Sequence, residues 1–116
     1  MKREFRLTRS TDFQRVRRFG KSYAHPLVVL KALPNELDRT RVGLAAGKSM
    51  GKAVERNRAK RLMRAAITTL LPRITPGYDL ALVARKPILE VKSPQVQEAL
   101  AQNLRRAKLL KDYDDH

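Results

Sequence analysis

The chain has 116 residues, 42% of them hydrophobic, which suits one domain with a real core and is too short for two. Twenty-six Lys and Arg against eleven Asp and Glu leave a net charge of +15, so a polyanion is the expected partner. Zero cysteines exclude a disulfide scaffold and a thiolate zinc site, and the sequence has neither a membrane-length apolar run nor the apolar segment of a secretory signal.

Residues 1–9 are basic and lack strong periodicity. Thr11 with Gln14 matches a capping box and predicts a helix carrying Phe13 and Val16, ended at Gly20 by a left-handed cap. Residues 27–33, bracketed by Pro26 and Pro34, read as a strand. A short polar link, 35–40, leads to a second strand over 41–46, expected to lie antiparallel beside the first. The glycine-bounded loop 47–51 feeds a long helix over about 52–71. Its Ala59, Leu62, Met63, Ala66, Ile67 and Leu70 recur at helical spacing as a buried stripe. Pro72 and Pro76 end it. Residues 78–84 are apolar almost throughout, which predicts a central, covered strand. Ser93 and Pro94 open a last helix, Pro94 at its first position, with a stripe of Val96, Ala99, Leu100, Asn103, Leu104 and Ala107. Residues 112–116 form a short acidic ending.

The order helix, strands, helix, strand, helix predicts an α/β chain of the α+β sandwich kind, one central sheet with helices packed on it. Residues 1–116 are read as a single domain, with a basic arm at 1–9 and a short acidic tail at 111–116. The long helix between the second and third strands predicts a parallel βαβ unit, right-handed by the general rule.

Residues 48–64 hold seven cations, Lys48, Lys52, Arg56, Arg58, Lys60, Arg61 and Arg64, against one anion, Glu55. On a helix Asn57, Lys60, Arg61 and Arg64 fall at i, i+3, i+4 and i+7, one basic face beside the core stripe. The helix N-terminus adds a favourable dipole for phosphate. A basic helix face is ordinarily just solvated. Here the whole chain is unbalanced, and the cluster combines arginine forks, which match phosphate bidentately, with an amide able to hold a sugar or base edge.

The run Arg56-Asn57-Arg58-Ala59-Lys60-Arg61-Leu62-Met63-Arg64 resembles the RNR signature of the bacterial ribonuclease P protein subunit. Arg6-Leu7 with Asp12-Phe13-Gln14-Arg15-Val16, then Arg41-Val42-Gly43-Leu44, then Tyr78-Asp79-Leu80 through Ala84-Arg85-Lys86 agree in the same order. The resemblance runs from about Arg6 to Leu110. It implies a ribosomal-protein-like topology with a left-handed crossover around the RNR helix, in place of the right-handed default. It implies a protein cofactor for a catalytic RNA that removes the 5′ leader of precursor tRNA, with both RNAs as partners and a cytoplasmic location. Lys48, on the loop before the helix, joins Lys52, Arg56, Asn57, Arg58, Lys60, Arg61 and Arg64 as RNA-facing candidates. Phe13 falls on an aromatic position of a leader cleft between the first helix and the sheet. Arg17 and Lys31 stand where family members often carry aromatics, so leader binding is expected to lean on charge more than on stacking.

Nothing in the sequence marks a catalytic group. His25 and His116 are isolated, and the carboxylates are scattered or gathered in the tail, where Asp112, Asp114 and Asp115 with His116 make a weak metal candidate. Gly43, Gly47 and Gly51 do not form a phosphate-binding Walker loop. No catalytic or metal-ligating residue is assigned, and Mg²⁺ is expected mainly on RNA. Neither a membrane nor an obligate protein partner is expected. The alternative is a ribosomal or rRNA-assembly protein with no part in cleavage. A stand-alone nuclease would need clustered acidic metal ligands.

Overall fold

In the computed structural model, which describes residues 1–111, strand β4 (Tyr78–Ala84) lies between β2 (Val28–Pro34) and β3 (Arg41–Ala45). It runs antiparallel to β2 and parallel to β3, and a short edge strand β1 (Lys21–Tyr23) completes the order β1-β2-β4-β3. The central position expected for 78–84 is therefore what forms. The antiparallel pairing expected between the first two strong strands does not, because β4 occupies the slot between them. The link that suggested a hairpin instead ties to the start of β4: Asn35 N–H donates to the Gly77 carbonyl at 2.9 Å, and Gly77 N–H to the Arg39 carbonyl at 3.2 Å.

Helix α2 (Ala53–Leu70) connects β3 to β4 as the parallel unit requires. It packs with helix α3 (Ser93–Arg106) on one sheet face, where Val28, Leu30, Val42, Leu80 and Leu82 are buried. Both apolar stripes are turned inward as their periodicity predicts; Leu62 and Ala107 remain half-buried. Fully burying each large aliphatic side chain contributes roughly 1.5–3 kcal/mol before chain entropy is charged against it. Asn103 lies inside the α3 stripe with no exposure, its Nδ2 donating to the Val28 carbonyl at 3.4 Å. Lys92 caps α3, so Pro94 stands one place further in than expected, still within the first turn.

Helix α1 (Ser10–Phe19) lies against β2 and β4 and buries Val16 completely. Its start differs from the capping-box expectation. Arg9 is the cap, its side chain makes no capping hydrogen bond, and Thr11 and Gln14 are exposed. Gly20 ends the helix as expected but at φ −70°, so no left-handed cap forms. Its lack of a Cβ has another cause: one would sit 2.5 Å from the Val16 carbonyl oxygen and 3.2 Å from that of Ala32, where the helix end meets β2.

Candidate nucleic-acid interface

The loop before α2 tightens into a 3₁₀ turn, Lys48–Met50, whose Met50 is buried beneath it. Gly51 then turns the chain into the helix at φ 122°, a conformation that glycine adopts without steric cost. Glu55 Oε1 accepts the Lys52 backbone N–H at 2.7 Å, so the one anion of the segment caps the helix. That contact also uses one of the free N–H groups that the sequence offered to phosphate.

The cations of the segment are left facing outward. Lys48, Lys52, Asn57, Arg58, Arg61 and Arg64 are exposed, and Arg56 and Lys60 are half-buried. Among the described residues the ion pairs are Arg15–Asp12, Arg41–Asp12, Arg41–Asp79 and Arg105–Glu98, and none includes a cation of residues 48–64. The eight residues expected to face RNA thus share one loop and helix, with positive charge that the described protein does not neutralise.

Phe13, Arg17 and Lys31 come together on the other sheet face. The Phe13 ring is laid on Gly43 of β3: a Cβ at Gly43 would fall 2.4 Å from Phe13 Cδ1 and 2.8 Å from Cε1. The half-buried Phe13 ring thus has one side seated on the Gly43 backbone. The Arg17 guanidinium carbon lies 5.9 Å from the ring centroid, and Lys31 Nζ donates to the Arg17 carbonyl at 2.8 Å. Lys31 thereby tethers α1 to β2 as well as adding charge.

Residues to which the sequence alone assigned no role of their own hold this face in place. Asp79, 1% exposed, receives Arg41 Nε at 2.8 Å and Nη2 at 2.7 Å, plus Asn35 Nδ2 at 2.9 Å. Arg41 Nη1 also lies 3.7 Å from Asp12 Oδ2 on α1, while Arg15 holds Asp12 Oδ1 at 2.6 Å. One guanidinium so links α1, β3 and β4. The hydrogen bonds from Arg41 to Asp79 raise the Arg41 pKa against the opposing effect of burial. Only the parallel register, which sets Arg41 opposite Asp79, reveals the pairing.

A family model described as Ribonuclease P matches residues 1–108. The chain belongs to the ribonuclease P protein family. A Ribonuclease P protein component from a Roseiflexus species is 41% identical over 115 residues, spanning 98% of this chain and 94% of the relative. Another from Herpetosiphon aurantiacus is 39% identical over 112 residues, 97% of this chain and 91% of that one. Among solved structures, the Staphylococcus aureus RNase P protein is similar at TM-score 0.80 and 31% identity, covering 92% of this chain and 98% of its own. The Thermotoga maritima RNase P protein gives 0.78 and 30%, covering 87% and 96%. The mixed sheet and helices described above are consequently those of ribonuclease P proteins.

Proposed function

We propose that this ribonuclease P protein component binds the catalytic RNA through residues 48–64 and the 5′ leader of precursor tRNA on the Phe13, Arg17 and Lys31 face, as a single RNA-binding domain. It thereby assists RNA-catalysed, Mg²⁺-dependent removal of the leader. The observation that carries this reading is the run of seven cations on one loop and helix with no described carboxylate paired to any of them. Phosphates of a polyanion supply the missing partners. A cytoplasmic site of action belongs to the same proposal. Among the described residues no helix is long and apolar enough to cross a membrane. The decisive experiment is recovery of the RNA bound to the purified chain. A single RNA that cleaves precursor tRNA supports the reading, and ribosomal RNA in its place overturns it.

Phe13→Ala should reduce affinity for precursor tRNA while sparing mature tRNA, because only the precursor has a leader. Stacking a base on an aromatic ring contributes roughly 1–3 kcal/mol, so the preference should shrink about tenfold. Equal losses for both substrates, with a lowered melting temperature, would make the ring a purely structural cover for Gly43.

Three of the described carboxylates are already engaged by the protein's own groups. Asp79 is enclosed by Arg41 and Asn35, Asp12 lies between Arg15 and Arg41, and Glu55 caps α2. No group of three or more His, Asp or Glu able to hold a metal gathers among the described residues; the tail candidate, Asp112, Asp114, Asp115 and His116, lies outside them. The proposal accordingly places Mg²⁺ on RNA and gives the protein a positional and electrostatic part. Asp12→Asn and Glu55→Gln should each slow single-turnover cleavage far less than the 10²–10⁴-fold typical of losing a general acid or base. Abolished cleavage in a folded, RNA-bound variant would put chemistry on the protein.

A further inference from the structure

The basic arm does not hang free of the sheet. Arg6 bridges in parallel to Val42 on the open edge of β3, and Leu7 N–H donates to the Val42 carbonyl at 2.9 Å. The Arg6 guanidinium is held in turn by the Met1 carbonyl, through Nε at 3.1 Å and Nη2 at 2.9 Å. Arm, β3 edge and α2 thereby enclose a groove of about 490 Å³. Arg6, Lys60 and Arg64 are its only charged side chains, and none of them is ion-paired among the described residues. Leu7, Val42, Gly43 and Leu44 supply an apolar and backbone lining, with Thr8 contributing a hydroxyl.

Cations beside an apolar lining are the chemistry of a single-stranded nucleotide, whose phosphate takes the charges and whose base takes the apolar surface. The volume lies within the roughly 300–1,000 Å³ of small-ligand sites. The groove also joins the Phe13 face: Gly43 lines it, and both the Phe13 ring and Leu7 Cβ close on Gly43.

We propose that this groove binds leader nucleotides of the substrate adjoining those on Phe13, so that Lys60 and Arg64 serve the substrate strand while Arg58 and Arg61 serve the catalytic RNA. The inference rests on the function proposed above and divides one basic helix between two RNAs.

The absence of cysteine makes the test specific. Thr8→Cys carries a photo-crosslinker in holoenzyme reconstituted with the catalytic RNA and a leader-bearing precursor tRNA. The crosslink should map to the leader. In a second measurement Arg6→Ala should lose about tenfold in affinity for the leader-bearing precursor, as expected for a charge-assisted contact, and little for mature tRNA. Crosslinks confined to the catalytic RNA, or equal losses on both substrates, overturn the assignment while leaving the proposed function standing. Failure of the parent chain to bind the catalytic RNA overturns both, and is read independently of the crosslink.

Discussion

Raising salt from about 50 to about 200 mM should weaken catalytic-RNA binding by roughly two to three orders of magnitude. Each neutralised phosphate lowers log K by about 0.7 per decade of salt on a single strand and about 0.9 on a duplex. Five or more engaged cations among those of residues 48–64 thus give a slope steeper than about −3. Arg58→Ala combined with Arg61→Ala should remove about 1.4–1.8 from that slope. The fold should survive, because both side chains are exposed and lie outside the described ion pairs. Circular dichroism and melting establish that first, and filter binding across a salt series gives the slopes. A parent slope near −1 would leave the basic face merely solvated. Undiminished affinity in a folded double variant would move the binding surface elsewhere.

The largest stability loss is expected at Asp79→Ala, about 3–5 kcal/mol by denaturant unfolding. That is a large part of the 5–15 kcal/mol that holds a typical domain together. Removing the carboxylate leaves the Arg41 guanidinium, whose side chain is 19% exposed, with only the longer 3.7 Å contact to Asp12, and takes an acceptor from Asn35. Arg15→Ala supplies the contrast. Its partner is the same type of residue at a shorter distance, 2.6 Å, yet Arg15 is 51% exposed. Exposed pairs are worth about 0–1 kcal/mol, so geometry alone should not rescue it. Equal costs at the two sites would refute burial as the deciding factor. Unfolding must be compared at matched salt, since screening acts mainly on the exposed pair.

Much of this arrangement is legible in the sequence where a single element carries its own pattern. Residues 78–84 lack polar alternation, and β4 is indeed covered on both faces; the α2 and α3 stripes follow a helical period and are buried. The RNR segment announces itself by charge density. What escapes depends on partners distant in the chain. Lys21-Ser22-Tyr23 has no apolar pattern and becomes β1 because β2 has a free edge to offer. The order of strands is set by which edge β4 enters, which link length does not reveal. Arg41 and Asp79 are 38 residues apart, and Phe13 finds Gly43 only once α1 crosses the sheet. The arm has no pattern of its own because Leu7 N–H bonds to Val42 on a strand distant in the chain, while its internal bonds are confined to the short turn Arg3–Phe5 and the Arg6 contact with the Met1 carbonyl.

The middle position of β4 also dictates an order of events during synthesis. β2 and β3 are both complete by Ala45, but each pairs with β4 and not with the other. The four-stranded sheet can close only after Tyr78–Ala84 has emerged, and α3 follows later still. At roughly 5–20 residues per second, the ribosome needs about two to eight seconds to add the intervening 39 residues between Ala45 and Ala84. During that interval the nascent chain carries the apolar side chains of two strands that still lack their shared partner, and it gains its densest run of positive charge. Like-charge repulsion between neighbouring nascent chains is then the built-in protection against their associating through those strands.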